Sequence, residues 1–140
     1  MTKLKLTSPA FSDGGEIPRE CGYKHGNKVP PLKIKCAYTR IKRLALIMDD
    51  PDAMGAVGKV WVHWLEYGNT DDSVTEGKND FGEIGYGGPA PPDGRHTYVF
   101  KLYELDTDLD LKEGYSKQEL EDAMKGHIIA EAKLTGTYAP

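Results

Sequence analysis

Four side chains of this 140-residue chain, Asp50, His63, His96 and Tyr98, are of the types that could build one small polar site. A carboxylate beside two imidazoles favours their protonated form, and its own charge is offset in return. Protonated imidazoles, a phenol hydroxyl and loop amides are all hydrogen-bond donors, and donors aimed at one point suit an oxyanion. His96 and Tyr98 follow the Gly/Pro-rich run Gly85-Tyr86-Gly87-Gly88-Pro89-Ala90-Pro91-Pro92, in which Gly87 and Gly88 would let backbone approach a ligand closely. An acid and two histidines could instead hold a metal or activate water. These motifs contain no Ser or Cys nucleophile and offer no fourth ligand, so binding without turnover and without a cofactor leads. Taken singly, the residues stay open to plainer readings: a satisfied core histidine, an Asp-Pro-Asp turn, a loop.

The elements that must position them follow from periodicity. Arg43 to Met48 is a short apolar run of core-strand type, ending at Asp49-Asp50-Pro51-Asp52. Pro51 keeps Asp50 extended at the strand tip. Lys59 to Tyr67 is the strongest strand signal, and a period of two places Trp61, His63 and Leu65 on one face, with Val60, Val62 and Trp64 on the other. The preceding residues 53–58 read as a small-residue loop. Thr97 to Tyr103 alternates so that His96, Tyr98, Phe100 and Leu102 share a face. Leu32 to Ala37 alternates like a half-exposed strand, and Ile128 to Gly136 is a last strand. Ser116-Lys117-Gln118-Glu119 is a capping box opening a helix that carries Leu120, Ala123, Met124 and His127 and ends near Gly126. Ser8 to Asn27 reads as a long ordered surface loop, and Gly68 to Glu83 as a turn-rich connection. Many strands, Pro/Gly turns and one or two short peripheral helices predict a mainly β, antiparallel β-sandwich.

Composition narrows the function classes. The length suits one domain, residues 1–140, able to bury a core without disulfides. No apolar run reaches the roughly 18 residues of a membrane span, and the N-terminus lacks a secretory signal, which predicts a cytoplasmic protein. Cys21 and Cys36 fit no zinc pattern and are expected as free thiols. Residues 1–48 hold ten Lys/Arg against three Asp/Glu, but those lysines alternate with apolar residues as on a solvated strand face, so nucleic acid is not the expected partner.

The ordered series Ser8-Pro9-Ala10-Phe11, Ile17-Pro18, Gly26-Asn27 with Pro30-Pro31-Leu32, Asp50-Pro51-Asp52-Ala53, His63-Trp64, Tyr86-Gly87-Gly88-Pro89-Ala90-Pro91-Pro92, Gly94-Arg95-His96-Thr97-Tyr98 and Gly136-Thr137-Tyr138 resembles the phosphatidylethanolamine-binding protein family, in its compact bacterial and archaeal form. The resemblance implies a β-sandwich with an anion pocket for phosphate-type groups, such as phospholipid heads or phosphorylated side chains. It places Asp50, His63, His96 and Tyr98 in that pocket, Ala90-Pro91 at its mouth and Tyr86 behind it or at its rim. It also implies, as the alternative function, a protein that inhibits a kinase or protease through surface loops; the chain would act as a monomer or homodimer. Met54 stands where the family usually has Pro, and Thr97 where it usually has Arg.

Overall fold

The computed structural model describes residues 4–36, 43–68 and 74–140. Its strands are β1 (Lys5–Thr7), β2 (Gly15–Glu16), β3 (Lys33–Lys35), β4 (Leu44–Asp50), β5 (Trp61–Gly68), β6 (Val74–Glu76), β7 (His96–Leu105) and β8 (Ile128–Tyr138). Six of them form one sheet in the order β2-β8-β7-β4-β5-β6, antiparallel except for the short β2–β8 pair, and β1 pairs with β3 in a second sheet. The two helices are α1 (Ala53–Val57) and α2 (Lys117–Met124).

Strands apolar on both faces belong in the middle of a sheet covered on both sides. That is where β4 lies, between β5 and β7. On one side Leu46, Met48, Trp64, Tyr98, Phe100, Leu102 and Leu134 pack with Leu4 and Leu6 from the chain around β1. On the other, Ala45, Ile47, Val62, Leu65 and Tyr67 pack against Tyr115, Leu120 and Met124. The fold is thus mainly β and two-sheeted, with α2 filling the outer face. The predicted capping box is present: Ser116 Oγ accepts from the Glu119 N–H and Glu119 Oε1 from the Ser116 N–H. Among the described residues no helix is long and apolar enough to cross a membrane.

Several sequence expectations are corrected. Residues 53–57 are a helix closed by Gly58 at φ +78, because a run of small residues with a left-handed glycine behind it can complete one turn. Ser8 to Asn27 is more than a surface loop: Phe11, Ile17 and Cys21 are buried, β2 joins the sheet edge, and a 3-10 turn spans Arg19–Cys21. The Gly68 to Glu83 connection contains β6, and its residues 69–73, like Ala37 of the predicted Leu32 to Ala37 strand, lie outside the described residues. The period of two fails in β5. Met48 pairs with Trp64 but Asp49 with Val62, so His63 is an extra residue in a β-bulge. Val62 and Leu65 therefore share a core, while Trp64 enters the other. Cys21 and Cys36, in contrast, are free thiols as expected from the sequence.

One strain is built into the sheet. Glu66 of β5 lies directly opposite Glu76 of β6, a like-charge pair that cross-strand geometry disfavours. Burial first, then the Glu76 charge and a hydrogen bond with Glu76, push the Glu66 carboxyl up to about 7 from its ordinary 4.5. The folded state therefore binds that proton more tightly than the unfolded chain, and stability falls as pH rises from about 4.5 through about 7. Glu66→Gln is expected to raise stability by about 1–3 kcal/mol at pH 8 and to leave it nearly unchanged at pH 4, checked by thermal melts at both.

Candidate functional site

The site is assembled where the end of β4 meets the start of β7 and the bulge of β5. With Asp49 opposite Val99 in the β4–β7 register, the next residue of β4, Asp50, reaches the beginning of β7. His96 Nδ1 donates to Asp50 Oδ2 at 2.5 Å, and both side chains are buried, 5% and 4% exposed. Asp50 Oδ1 accepts from the Asp52 N–H at 2.9 Å, and Asp52 Oδ2 accepts from the Thr97 N–H at 2.8 Å. Asp-Pro-Asp is therefore a clasp, its two carboxylates joining the tip of one strand to the start of another. Thr97 supplies backbone to that clasp; as β7 alternates, its side chain lies on the face away from His96 and Tyr98.

His63 is held by one glycine. The Gly87 N–H donates to the His63 carbonyl at 2.8 Å, and His63 Nδ1 lies 2.6 Å from the Gly87 carbonyl. A carbonyl only accepts, so Nδ1 carries the hydrogen and Nε2 is left for the cleft. A Cβ at position 87 would run into the Phe81 ring, and one at 88 into the Cys21 carbonyl, which is why this strand of the rim is glycine. Asn27, at φ 51, clamps the same loop, its Oδ1 accepting from the Gly88 N–H at 2.7 Å and its Nδ2 donating to the Tyr86 carbonyl at 3.2 Å. The Tyr23 N–H donates to the Pro89 carbonyl nearby.

These elements enclose a cleft of about 150 Å³, lined by Asp50, His63, His96, Tyr98, Ala90 and Pro92, by Trp61 and Phe81, and by Ala53, Ala56 and Val57 of α1. The structure thus brings together five of the residues named from sequence: Asp50, His63, Ala90, His96 and Tyr98. Pro91 is buried outside the lining, and Pro92 takes its place. Tyr86 stands outside the cleft, with its hydroxyl on the Cys21 carbonyl at 2.8 Å and its ring edge-on to Trp64. Sequence reasoning missed Trp61, Phe81, the α1 residues and Asp93, whose Oδ1 lies 2.6 Å from His96 Nε2. The spacing of Asp93 three residues before His96 was the available signal for that contact. A larger cavity, about 420 Å³, lies between the sheets with apolar walls including Leu6, Leu46 and Leu102 and with Glu66 as its charged residue, and lacks converging donors.

The two imidazoles are in opposite states. Burial pushes His63 below the ordinary histidine value, against the raising effects of its bond to Gly87 and the Asp50 charge, so it is neutral at pH 7 with a lone pair on Nε2. Burial acts in the same sense on His96, but hydrogen bonds to Asp50 and Asp93 and their charges outweigh it and raise the value. With a carboxylate on each nitrogen, His96 is an imidazolium. Burial, with the Asp50 charge, pushes the Tyr98 hydroxyl up, so it stays a neutral donor. Among the described residues, the buried side-chain polar atoms without a hydrogen-bond partner are Tyr98 Oη and Trp61 Nε1, and both residues line the cleft. Tyr98 Oη feels Asp50 and the Ala90 backbone without meeting either at hydrogen-bond geometry. No group of three or more His, Cys, Asp or Glu among the described residues is arranged to hold a metal ion.

The protein is thus of a two-sheeted, mainly β class with a small donor-lined cleft at the ends of its central strands. Comparison with known proteins gives the family. The phosphatidylethanolamine-binding protein family model matches residues 7–139. A UPF0098 protein of the archaeon Methanothermobacter thermautotrophicus is 42% identical, over 96% of this chain and 98% of its own. A UPF0098 protein of Chlamydia muridarum is 40% identical with the same coverage. A crystal structure of a phosphatidylethanolamine-binding protein homologue from Chlamydia trachomatis superposes with a TM-score of 0.87 at 39% identity, covering 99% of this chain and 98% of that one. Escherichia coli YbcL, at 24% identity and a TM-score of 0.82, shares the fold. The chain belongs to the phosphatidylethanolamine-binding protein family.

The rim clamp carries a prediction. Asn27→Gly keeps the positive φ accessible while removing both side-chain bonds to the 86–88 loop. It is expected to lower stability by about 1–3 kcal/mol, read by denaturant unfolding, because the buried Gly88 N–H loses its partner.

Proposed function

We propose that the cleft receives a phosphate-type group, from a phospholipid head or another phosphorylated ligand, and that it binds this group without chemical turnover. The observation that carries this reading is the pair of orphan donors. Buried polar atoms are nearly always hydrogen-bonded, and an unsatisfied one costs about 1–3 kcal/mol. Tyr98 Oη and Trp61 Nε1 are two such atoms at one cleft, and both can donate to an oxyanion. His63 Nε2 adds an acceptor beside them, which matches a phosphoryl or carboxyl group that brings its own proton. Among the described residues no Lys or Arg lines the cleft, so recognition rests on directed hydrogen bonds from its lining. The rest of the lining is apolar, with Phe81, Pro92 and the half-exposed Val57 of α1, which suits an organic substituent on the bound group. Among the described residues the lining holds no Ser, Thr or Cys to act as nucleophile.

The alternative, inhibition of a kinase or protease, would act through the surface loops Ser8 to Asn27 and Gly68 to Glu83. The first gives Phe11, Ile17 and Cys21 to the core and fastens the cleft rim through Tyr23 and Asn27, and the second contributes β6 to the sheet edge.

Inorganic phosphate or phosphoethanolamine titrated into the protein is expected to give saturable shifts of the His63 and His96 ring signals by NMR. Tyr98→Phe separates binding from structure. Among the described residues the hydroxyl has no hydrogen-bond partner, so its loss should leave the melting temperature unchanged or raised while weakening phosphate binding about tenfold. Undiminished phosphate affinity in Tyr98→Phe would remove the basis of the reading.

A further inference from the structure

His96 is gripped by two carboxylates that differ in every respect but chemistry. Asp50 is 4% exposed and fixed by the Asp52 N–H, whereas Asp93 is 56% exposed. Asp93 makes no second hydrogen bond among the described residues. It rides on a loop tip between exposed Pro92 and Gly94, and Gly94, at φ +152, has nothing within 4 Å of where a Cβ would stand. The inner carboxylate is a fixture of the sheet; the outer one is tethered by a few solvent-facing residues. Its Oδ1 nevertheless lies 2.6 Å from His96 Nε2, the ring nitrogen that faces away from Asp50.

We propose that Asp93 is a built-in competitor for the cleft: its carboxylate occupies the His96 Nε2–H donor that an incoming oxyanion would use, and a ligand binds fully only by displacing it. The inference deepens the phosphate reading above and rests on it. A carboxylate and a phosphoryl oxygen are both acceptors that an imidazolium N–H recognises through a short charge-assisted bond. The tethered one competes at a high effective concentration, because its loop returns it to the same place. The observed affinity is then the intrinsic affinity reduced by the fraction of molecules in which Asp93 has let go. Displacement also changes the charge balance. With Asp93 seated, two carboxylates surround one imidazolium and the neutral His63 adds nothing. Once Asp93 has moved into solvent, His96 offers its Nε2–H at the cleft that Tyr98 and His63 also line. The selectivity consequence is that a ligand must out-compete a carboxylate, which favours a phosphoryl group, with more oxygens to reach several donors at once, over a simple carboxylic acid.

The test is the titration of inorganic phosphate into the wild-type protein, Asp93→Asn and Asp93→Ala at pH 7 and fixed ionic strength, followed through the His63 and His96 ring signals. Asp93→Ala, which empties the position, is expected to bind phosphate about tenfold more tightly than wild type. Asp93→Asn, whose amide oxygen still accepts from Nε2 but without charge, should fall between the two. Equal or weaker binding by Asp93→Ala overturns the competitor and leaves the phosphate reading standing. Equal gains in the two variants assign the effect to the removed charge alone and also overturn it. If no form shows a saturable shift, the phosphate reading fails and the competitor with it. Thermal melts accompany the titrations, and the near-isosteric Asp93→Asn keeps the comparison with wild type readable if the alanine variant does not fold.

Discussion

The cleft depends on one extra residue. Between the pairs Met48–Trp64 and Asp49–Val62, β5 carries His63 with no partner on β4. In a regular strand, neighbours point to opposite faces and a one-residue change of register exchanges them. The bulge therefore lets Trp61 and His63 line the cleft while Trp64 joins the core on the same side, and Val62 and Leu65 still reach the core beneath α2. Without it, Trp64 and Leu65 could not both keep their cores while His63 kept the cleft. Bulges recur beside functional sites because they re-aim a side chain without breaking a sheet.

The same economy appears in the adjacent pair Asp49-Asp50. Both carboxylates are buried, 2% and 4% exposed, and burying an unpaired charge is costly. Alternation sends them to opposite sides. Asp50 meets His96 in the cleft, and Asp49 meets Lys101 Nζ at 3.3 Å and Lys117 Nζ at 3.1 Å. Lys117 is the first residue of α2, so two neighbouring residues of one central strand join the outer helix and the cleft to the same backbone.

How much of this was legible in the sequence follows from where the rules of periodicity hold. β7 reads correctly because it runs with regular pairing from His96 to Glu104, and alternation alone put His96, Tyr98, Phe100 and Leu102 on one face. The capped start of α2 reads correctly because Ser116 and Glu119 satisfy each other within four residues. β5 misreads because nothing local distinguishes a bulge from a continuous strand; the insertion is defined only by the partner strand. The Asp-Pro-Asp run showed that a turn was due, but its use as a clasp depends on Thr97, 45 residues away. Asp93 escaped notice for the same reason that it can serve as a competitor: it sits on an exposed tip, where an acidic residue ordinarily means only solubility. The family resemblance brought together segments that spacing alone could not, and at the level of single residues it placed Pro91 where Pro92 stands.

The placement of the two tryptophans has an optical consequence. Trp61 and Trp64 are the chain's only indoles, and they occupy different environments. Trp61 lines the cleft with its ring edge-on to Phe81 and its indole nitrogen unpaired, whereas Trp64 donates its indole N–H to Glu76 at 2.8 Å, beside the carboxyl that titrates near neutrality. The protein therefore carries two native fluorophores, one placed at the cleft and the other at the Glu66–Glu76 pair. Emission from a protein retaining one indole at a time would resolve those two places without any attached dye.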